Sequence, residues 1–219
     1  MIRDFTIVAQ NVDMLLLGLA NTAVLSVLTT VLSLALGALY SVILMAEGKC
    51  IRAFAQIMLD TVRCIPVLLL IYVFYYQLPA FGIVLNNWAA GLCALVICHT
   101  AYMAEIIRGS WVVLPKEYTE TAISFGFRGL ALYRRIVFPP IILAAAPMIG
   151  NQVIIIVKDT AFLMIVAVSE LTHAATSIQS RYYVPFAAYV SAIALYWVLC
   201  RFVGMGVSLV ERVAEARRG

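Results

Sequence analysis

The chain has 219 residues, of which 64% are hydrophobic and 12% are charged, and its mean hydropathy is +1.02. Soluble globular chains contain about 45–50% apolar and about 25% charged residues. A chain of this size exposes a large surface, so the apolar excess is too great to be hidden in a soluble core. The composition argues against a soluble enzyme, a secreted disulfide scaffold and a disordered regulator. It predicts an all-α integral membrane protein.

Signals for several other kinds of protein are missing from the sequence. The N-terminal residues include Asp4 and Asp13 and no basic segment before an apolar one, so we expect no signal peptide. The five cysteines form no CxxC pair and are expected to be reduced packing residues. No phosphate loop, no catalytic or metal-binding motif and no basic surface for nucleic acid is present. His99 and His173 are isolated, so we predict neither a metal site nor catalytic residues.

Long uncharged stretches locate the membrane-spanning helices, because about 20 apolar residues cross a bilayer. The stretch from Cys64 to Ala104 is long enough for two spans, and the helix breakers around Pro79 and Gly82 divide it. We find no internal repeat and no linker, so residues 1–219 are predicted to form a single transmembrane domain. The predicted helices are five, at about 14–45, 54–78, 88–108, 140–166 and 185–207.

The distribution of Lys and Arg predicts the orientation in the membrane, since basic residues accumulate in cytoplasmic loops. Five spans place the termini on opposite sides, and one side would hold only Arg3 and Arg181. The N-terminus is therefore predicted to be periplasmic and the C-terminus cytoplasmic. The basic residues assigned to the cytoplasmic side are Lys49, Arg52, Arg108, Lys116, Arg128, Arg134, Arg135, Arg201, Arg212, Arg217 and Arg218.

Lys158 and Asp159 interrupt a predicted span that also contains Asn151 and Gln152. A charge near the bilayer centre costs about 2.5–3.5 kcal/mol on insertion scales, so it should face a partner or a wet cavity. One interpretation is neutralisation within the helix bundle. The other is a pocket for a zwitterion, in which Arg63 binds a carboxylate and Asp159 binds an ammonium or cationic group.

A polar stripe on the third predicted span has a similar ambiguity. His99, Tyr102 and Glu105 are spaced three residues apart and therefore share one helix face. This face is suited to lining a transport pathway. It is equally suited to hydrogen bonding between helices within the membrane.

Residues 109–139 form the one substantial loop on the predicted cytoplasmic side. A short helix is expected to begin at Pro115, with Glu117 and Glu120 in its early turns, and to break at Gly126. A second short helix is expected to end before Pro139 and Pro140. On physical grounds alone, this is an amphipathic hairpin of a kind found in many membrane proteins.

The spacing within this loop resembles the EAA motif of ABC importer permeases, E-A-A-x3-G-x9-I-x-L-P. The corresponding residues are Glu120, Thr121, Ala122, Gly126, Ile136 and Pro139. Thr121 replaces the first alanine of the motif, and Phe138 replaces its leucine. Neither departure removes a charge, the glycine or the proline.

Further motifs resemble the polar amino acid subfamily of these permeases, which transports histidine, glutamine, arginine or opines. They occur in the family's order between residues 15 and 212. The matching segments are Gly18–Thr22 (G-x-x-x-T), Arg63–Leu68 (R-G-T-P-L-L, with Cys64 and Ile65 departing), Ala101–Gly109 (A-Y-x-x-E-x-x-R-G), Lys158–Ala161 (K-D-T-S) and Glu170–Thr172 (E-L-T).

The resemblance implies a multi-pass permease subunit of a bacterial inner-membrane importer. Its expected partners are a second identical or homologous permease, two ATPase copies that carry ATP and Mg²⁺, a periplasmic solute-binding protein and membrane lipid. The chain itself would need no cofactor and bind no nucleic acid. The EAA residues would contact the ATPase, and the implied substrate-binding residues are Arg63, Pro66, Lys158, Asp159, Thr160 and Phe162.

The competing prediction is a subunit of an oligomeric secondary transporter or channel that an ion gradient drives. Broken helices and intramembrane charges occur in that class too. The EAA spacing favours the ATP-driven importer, because a secondary transporter has no ATPase to contact. A membrane-embedded enzyme ranks third, since the sequence has no catalytic constellation.

Overall fold

A computed structural model describes residues 2–46 and 48–216, and within these residues all regular structure is helical. Three helices continue into tighter or wider turns. The helix Val67–Tyr72 continues through a π turn at Val73–Gln77 and a 3₁₀ turn at Leu78–Phe81, the helix Gly129–Leu132 through a π turn at Tyr133–Val137, and the helix Phe138–Asp159 through a 3₁₀ segment at Thr160–Val166. The helices are α1 (Ile2–Gln10), α2 (Val12–Leu44), α3 (Lys49–Cys64), α4 (Val67–Tyr72), α5 (Asn87–Val112), α6 (Lys116–Ser124), α7 (Gly129–Leu132), α8 (Phe138–Asp159), α9 (Leu171–Tyr182) and α10 (Pro185–Ala216).

Among the described residues, four helical segments are long and apolar enough to cross a membrane, and the bent pair α3–α4 makes a fifth if it counts as one span. The predicted helix 14–45 is confirmed as α2, 88–108 as α5 and 185–207 as the first part of α10. The predicted helix 140–166 is α8 with its 3₁₀ extension. The helix breakers also act as predicted, since the chain leaves helical structure at Gly82 and re-enters it at Asn87.

The prediction of one continuous helix over 54–78 is wrong. The chain forms α3 and α4 there, bent by 94° at Ile65 and Pro66. Pro66 has no N–H to donate, and its ring excludes helical geometry from the residue before it. Ile65 is accordingly extended, with φ −86° and ψ 125°. This bend creates the cavity described below.

The predicted stop before Pro139 and Pro140 is also wrong, because the helical path continues from α7 through the π turn into α8. A proline inside a helix removes one backbone hydrogen bond and crowds the preceding turn. A π turn widens the helix locally and changes which groups pair. The π turn at Tyr133–Val137 lies immediately before the prolines, where this adjustment is needed.

Helices α2 and α5 approach each other closely at Gly37. A Cβ atom added at Gly37 would lie 2.7 Å from Cβ of Met103 and 2.9 Å from the backbone nitrogen of Ala104. Only glycine permits this separation without displacement of α5. The contact fixes α2 beside α5, which carries part of the cavity wall.

Gly37→Ala is expected to destabilise the bundle, because overpacking costs about 1–3 kcal/mol. The measurement is the melting temperature of the detergent-purified transporter, which we expect to fall by several degrees. Gly204→Ala in α10 is the matched control, since a Cβ there meets nothing within 4 Å. Equal melting temperatures for the two variants would contradict the importance of this contact.

Glu170 is fully buried and forms the N-cap of α9. Its carboxylate accepts hydrogen bonds from the backbone N–H groups of Thr172 (2.7 Å) and His173 (2.6 Å) and from the hydroxyl of Tyr196 (2.9 Å). Burial raises the pKa of Glu170, and these hydrogen bonds act in the opposite direction. The E-L-T motif therefore has a structural role in joining α9 to α10.

The G-x-x-x-T motif of α2 holds the chain just before α9. The hydroxyl of Thr22 accepts a hydrogen bond from the N–H of Leu171 (3.1 Å), and the amide of Asn21 donates to the carbonyl of Ser169 (2.6 Å). Thr22 is completely buried. Two motifs that lie 150 residues apart in sequence thus form one joint between helices, because their unpaired polar groups satisfy each other.

Candidate functional site

The bend between α3 and α4 opens a cavity of about 330 Å³ against α5 and α8. Ligand pockets usually measure about 300–1,000 Å³, so this volume suits a small solute. Apolar side chains surround most of it, and a few polar groups converge on it. Its lining residues are Arg63, Cys64, Ile65, Pro66, Val67, Cys98, His99, Tyr102, Gln152, Ile155 and Asp159.

Arg63 is the positively charged group of the cavity. It is the penultimate residue of α3, and the break at Pro66 directs the end of that helix toward α5. Its guanidinium carbon lies 5.6 Å from the ring centre of Tyr102, within range of a cation–π contact. Its outer nitrogen lies 3.5 Å from the carboxylate of Asp60, and 34% of the side chain is exposed. Arg63 is therefore oriented but accessible to a solute.

Asp159 is the negatively charged group, at the C-terminal end of α8, and 23% of its side chain is exposed. Its Oδ2 atom lies 3.5 Å from Nε2 of His99, whose side chain is 1% exposed. The other ring nitrogen of His99, Nδ1, lies 2.9 Å from Nε2 of Gln152. The cavity thus combines a guanidinium, a carboxylate and a buried imidazole that connects α5 to α8.

The structure brings Arg63, Pro66 and Asp159 to one cavity. Lys158 does not line it, because adjacent helix residues point about 100° apart and Lys158 is exposed. Thr160 is buried and its hydroxyl donates to the carbonyl of Val157 (2.7 Å), away from the cavity lining. Phe162 is exposed on the 3₁₀ segment and is also absent from the lining.

His99, Tyr102 and Gln152 complete the cavity, although sequence reasoning did not select them as binding residues. The sequence does contain a signal for them, because His99 and Tyr102 belong to the polar stripe on α5 and Gln152 is a polar residue in an apolar span. Glu105, the third residue of the stripe, does not line the cavity. It forms a bidentate ion pair with Arg108 (2.6 and 2.9 Å) instead. Within the described residues, no group of three His, Cys, Asp or Glu side chains is placed to bind a metal ion.

Helix α6 lies at the end of the bundle opposite to α9. It begins after Pro115 and ends in a turn that Gly126 makes with φ +87°. The N–H of Phe127 donates to the carbonyl of Ala122 (3.1 Å), and that of Gly126 donates to the carbonyl of Ile123 (2.9 Å). This is the Schellman pattern, which needs a left-handed residue at the position of Gly126. Gly126 therefore turns the chain, one of the roles expected for it.

The EAA residues divide between the surface and the interior. Ala122 is buried against Ile107, Leu132 and Val137, and Ile136 packs partly into the same cluster. Ala122 is thus small because α6 packs closely on its own chain. The exposed EAA residues are Glu120, Thr121, Gly126 and Pro139.

The outer surface around α6 carries several exposed apolar side chains. Phe125 is 81% exposed, and two cavities of about 470 and 520 Å³ flank the helix. Exposed apolar clusters of this kind mark sites of contact with another protein or with the membrane. The large exposed side chains here are Val112, Val113, Tyr118, Ile123, Phe125 and Leu130.

The chain belongs to the family of binding-protein-dependent transport system inner membrane components, which it matches over residues 33–212. It is therefore a transmembrane permease subunit of an ABC importer and not the ATPase, as the EAA spacing predicted. This assignment favours the ATP-driven class over the ion-driven alternative. The family is defined by the membrane component alone, which agrees with the absence of a phosphate loop from the sequence.

Named relatives and a solved structure extend this similarity over nearly the whole chain. The probable glutamine ABC transporter permease protein GlnM of Bacillus subtilis is 31% identical, over 97% of this chain and 98% of the relative. The nopaline transport system permease protein NocM of Agrobacterium fabrum is 26% identical, over 95% and 90%. A chain from the crystal structure of an amino acid ABC transporter with histidines superposes with TM-score 0.84 at 28% identity, covering 95% of this chain and 97% of that one.

Proposed function

We propose that this chain is the transmembrane subunit of an ATP-driven importer that moves a polar amino acid, or a related compound such as an opine, into the cytoplasm. The observation that carries the proposal is the cavity in which Arg63 and Asp159 present opposite charges. A zwitterion has one carboxylate and one ammonium group, so it matches this pair. The relatives named for glutamine and nopaline support the same solute class.

Within the cavity, the guanidinium of Arg63 binds the substrate carboxylate, because its planar fork forms two parallel hydrogen bonds with such a group. Asp159 binds the ammonium or a cationic side chain. Pro66 contributes by breaking the helix, which exposes the backbone of the α3–α4 junction to the cavity. The partly apolar walls remove water and so strengthen both charge interactions.

Transport occurs by alternating access, with the cavity opening to one side of the bacterial inner membrane and then to the other. The N-terminus is periplasmic and the C-terminus cytoplasmic, because Lys and Arg are concentrated at the end of the bundle that carries α6. Substrate arrives from a periplasmic binding protein. A second permease, identical or homologous, completes the pathway.

The α6 segment couples this movement to ATP hydrolysis on the partner ATPase. Two ATPase copies, which hold ATP and Mg²⁺, dock on the cytoplasmic loops of the two permeases. The exposed residues Glu120, Thr121 and Gly126, with the apolar surface around Phe125, form the contact. Ala122 and Ile136 support it by packing α6 on the bundle, and the exposed Pro139 lies beside it at the start of α8.

The test is the solute specificity of the purified complex of this chain with its partner permease and ATPase. Binding is measured without the periplasmic protein, so that the permease's own selectivity is observed. The probes are L-glutamine, L-arginine and octopine, which all carry a carboxylate and a cationic group. We expect at least one of them to bind.

Two matched compounds serve as controls, one for each charged group of the substrate. Agmatine lacks the carboxylate of arginine, and 5-guanidinovalerate lacks its α-ammonium group. If L-arginine is the solute bound, agmatine is expected to bind at least tenfold more weakly, because Arg63 loses its carboxylate partner. 5-Guanidinovalerate is expected to bind at least tenfold more weakly if Asp159 binds the α-ammonium group, and about as well as L-arginine if Asp159 binds the cationic side chain. Binding of a neutral sugar, with no response to any zwitterion, would refute the proposed substrate class.

A further inference from the structure

The imidazole of His99 occupies an unusual position between two polar partners at the wall of the cavity. Its Nδ1 atom is 2.9 Å from the Gln152 amide nitrogen, and its Nε2 atom is 3.5 Å from Oδ2 of Asp159. His99 is 99% buried, and among the described residues Nε2 has no hydrogen-bond partner at normal distance. A buried polar atom without a partner is rare in folded proteins and calls for an explanation.

The carboxylate of Asp159 determines which nitrogen of His99 carries the proton. A lone pair on Nε2 would face a carboxylate oxygen and be repelled by it, whereas an N–H there is attracted. A neutral imidazole with its proton on Nε2 has an acceptor at Nδ1. The amide of Gln152 then donates to Nδ1 and holds the ring in this tautomer.

We propose that His99 is a positioning residue for substrate binding, which orients the Asp159 carboxylate through Nε2–H while Gln152 fixes the imidazole. This inference rests on the proposed zwitterion site and goes beyond it. The imidazole engages Oδ2 and leaves Oδ1 for the cationic group of the substrate. At 3.5 Å the contact is longer than a usual hydrogen bond, so it shortens when substrate draws the carboxylate into its binding orientation.

The position of His99 explains why a histidine is needed rather than any buried residue. Both ring nitrogens face residues of α8: Nδ1 faces the buried amide of Gln152, and Nε2 faces Asp159, the negatively charged group of the cavity. A purely structural role would use the Nδ1 contact, which ties α5 to α8. A positioning role uses the Nε2 contact.

Two substitutions separate these roles, because each keeps one contact and loses the other. His99→Gln places an amide nitrogen close to the position of Nε2 and keeps a donor for Asp159. His99→Asn places an amide oxygen close to Nδ1, which preserves the acceptor for Gln152, but its side chain is too short to reach Asp159. The two variants introduce the same functional group and differ by one methylene.

The measurement is half-saturation of substrate-stimulated ATPase activity in the complete transporter, with L-glutamine and L-arginine as probes. We expect His99→Asn to raise the half-saturating concentration at least tenfold, and His99→Gln to change it less than threefold. Co-purification of the ATPase and the second permease with each variant checks that the complex still assembles. Gln152→Leu removes the donor to Nδ1, so the proton of His99 is no longer held on Nε2. We expect it to raise the half-saturating concentration as His99→Asn does.

The reverse result would be a half-saturating concentration close to wild type for His99→Asn and a raised one for His99→Gln. It would show that His99 only ties α5 to α8 and would overturn the proposal. Equal effects of the two substitutions would overturn it as well. Asp159→Asn in the same assay tests the underlying site. If Asp159→Asn weakens substrate response and both His99 variants do not, the positioning role fails while the zwitterion site stands.

Discussion

Asp159→Asn is expected to reduce substrate uptake well over tenfold while the transporter still assembles and keeps its basal ATPase rate. Removing one member of a desolvated charge pair costs about 2–5 kcal/mol, and each 1.4 kcal/mol is a factor of ten in affinity. Asn has nearly the size of Asp, so the cavity keeps its shape and loses the charge that we propose binds the cationic group. Uptake into proteoliposomes and ATPase assays on the same preparation measure the two properties separately.

Lys158→Gln provides the control, because it removes a charge from the adjacent position that does not line the cavity. We expect its effect on substrate affinity to be less than threefold. A loss as large as that of Asp159→Asn would return Lys158 to the substrate site, as the sequence predicted. Normal uptake by Asp159→Asn, or dissociation of the complex, would show that the charge has a structural role only.

Gly126→Asp is expected to abolish transport and weaken co-purification of the ATPase, with membrane insertion and substrate binding retained. Gly126 has φ +87°, which disfavours residues with a side chain, and it is exposed beside the apolar surface around Phe125. A side chain there strains the turn after α6 by about 1 kcal/mol. Asp also places a charge into the proposed ATPase contact, where its desolvation is costly.

Gly126→Asn distinguishes the strain from the charge, since Asn and Asp have similar shapes and both tolerate the left-handed conformation. We expect Asn to retain part of the ATPase binding that Asp loses. Glu120→Ala should have a milder effect than Gly126→Asp, because one exposed polar contact contributes about 1 kcal/mol. Stoichiometric assembly and normal transport by Gly126→Asp would remove α6 from the coupling surface.

The position of Ala122 illustrates how sequence and structure differ in what they specify. The EAA spacing alone suggested that Ala122 faces a partner protein. In the structure it faces Ile107 and Val137 of its own chain, so its small size serves the packing of α6. A motif indicates that a small residue is required at a position, and only the fold shows which surface approaches it.

Several features were predictable because they depend on local sequence. The membrane class follows from composition, and the spans α2, α5 and α10 follow from long uncharged stretches that no other structure accommodates. The start of α6 follows from Pro115, and its end at Ser124 follows from the conformational freedom of Gly126 in the turn just after it. Arg63 and Asp159 could be selected as candidate site residues because charges within apolar spans require a polar environment, and both line the cavity.

Other features arise only from tertiary structure. The hydropathy of residues 54–78 indicated one straight span. Pro66 breaks the helix locally, whereas the 94° angle between the two halves depends on how each half packs against the neighbouring helices. Lys158 and Asp159 are adjacent in sequence, yet only the rotation of α8 in the bundle determines that Asp159 lines the cavity and Lys158 does not. Sequence determines which residues need polar or apolar surroundings, because that need is a property of each side chain. Which groups meet is decided by helix packing, because it joins residues that are distant along the chain.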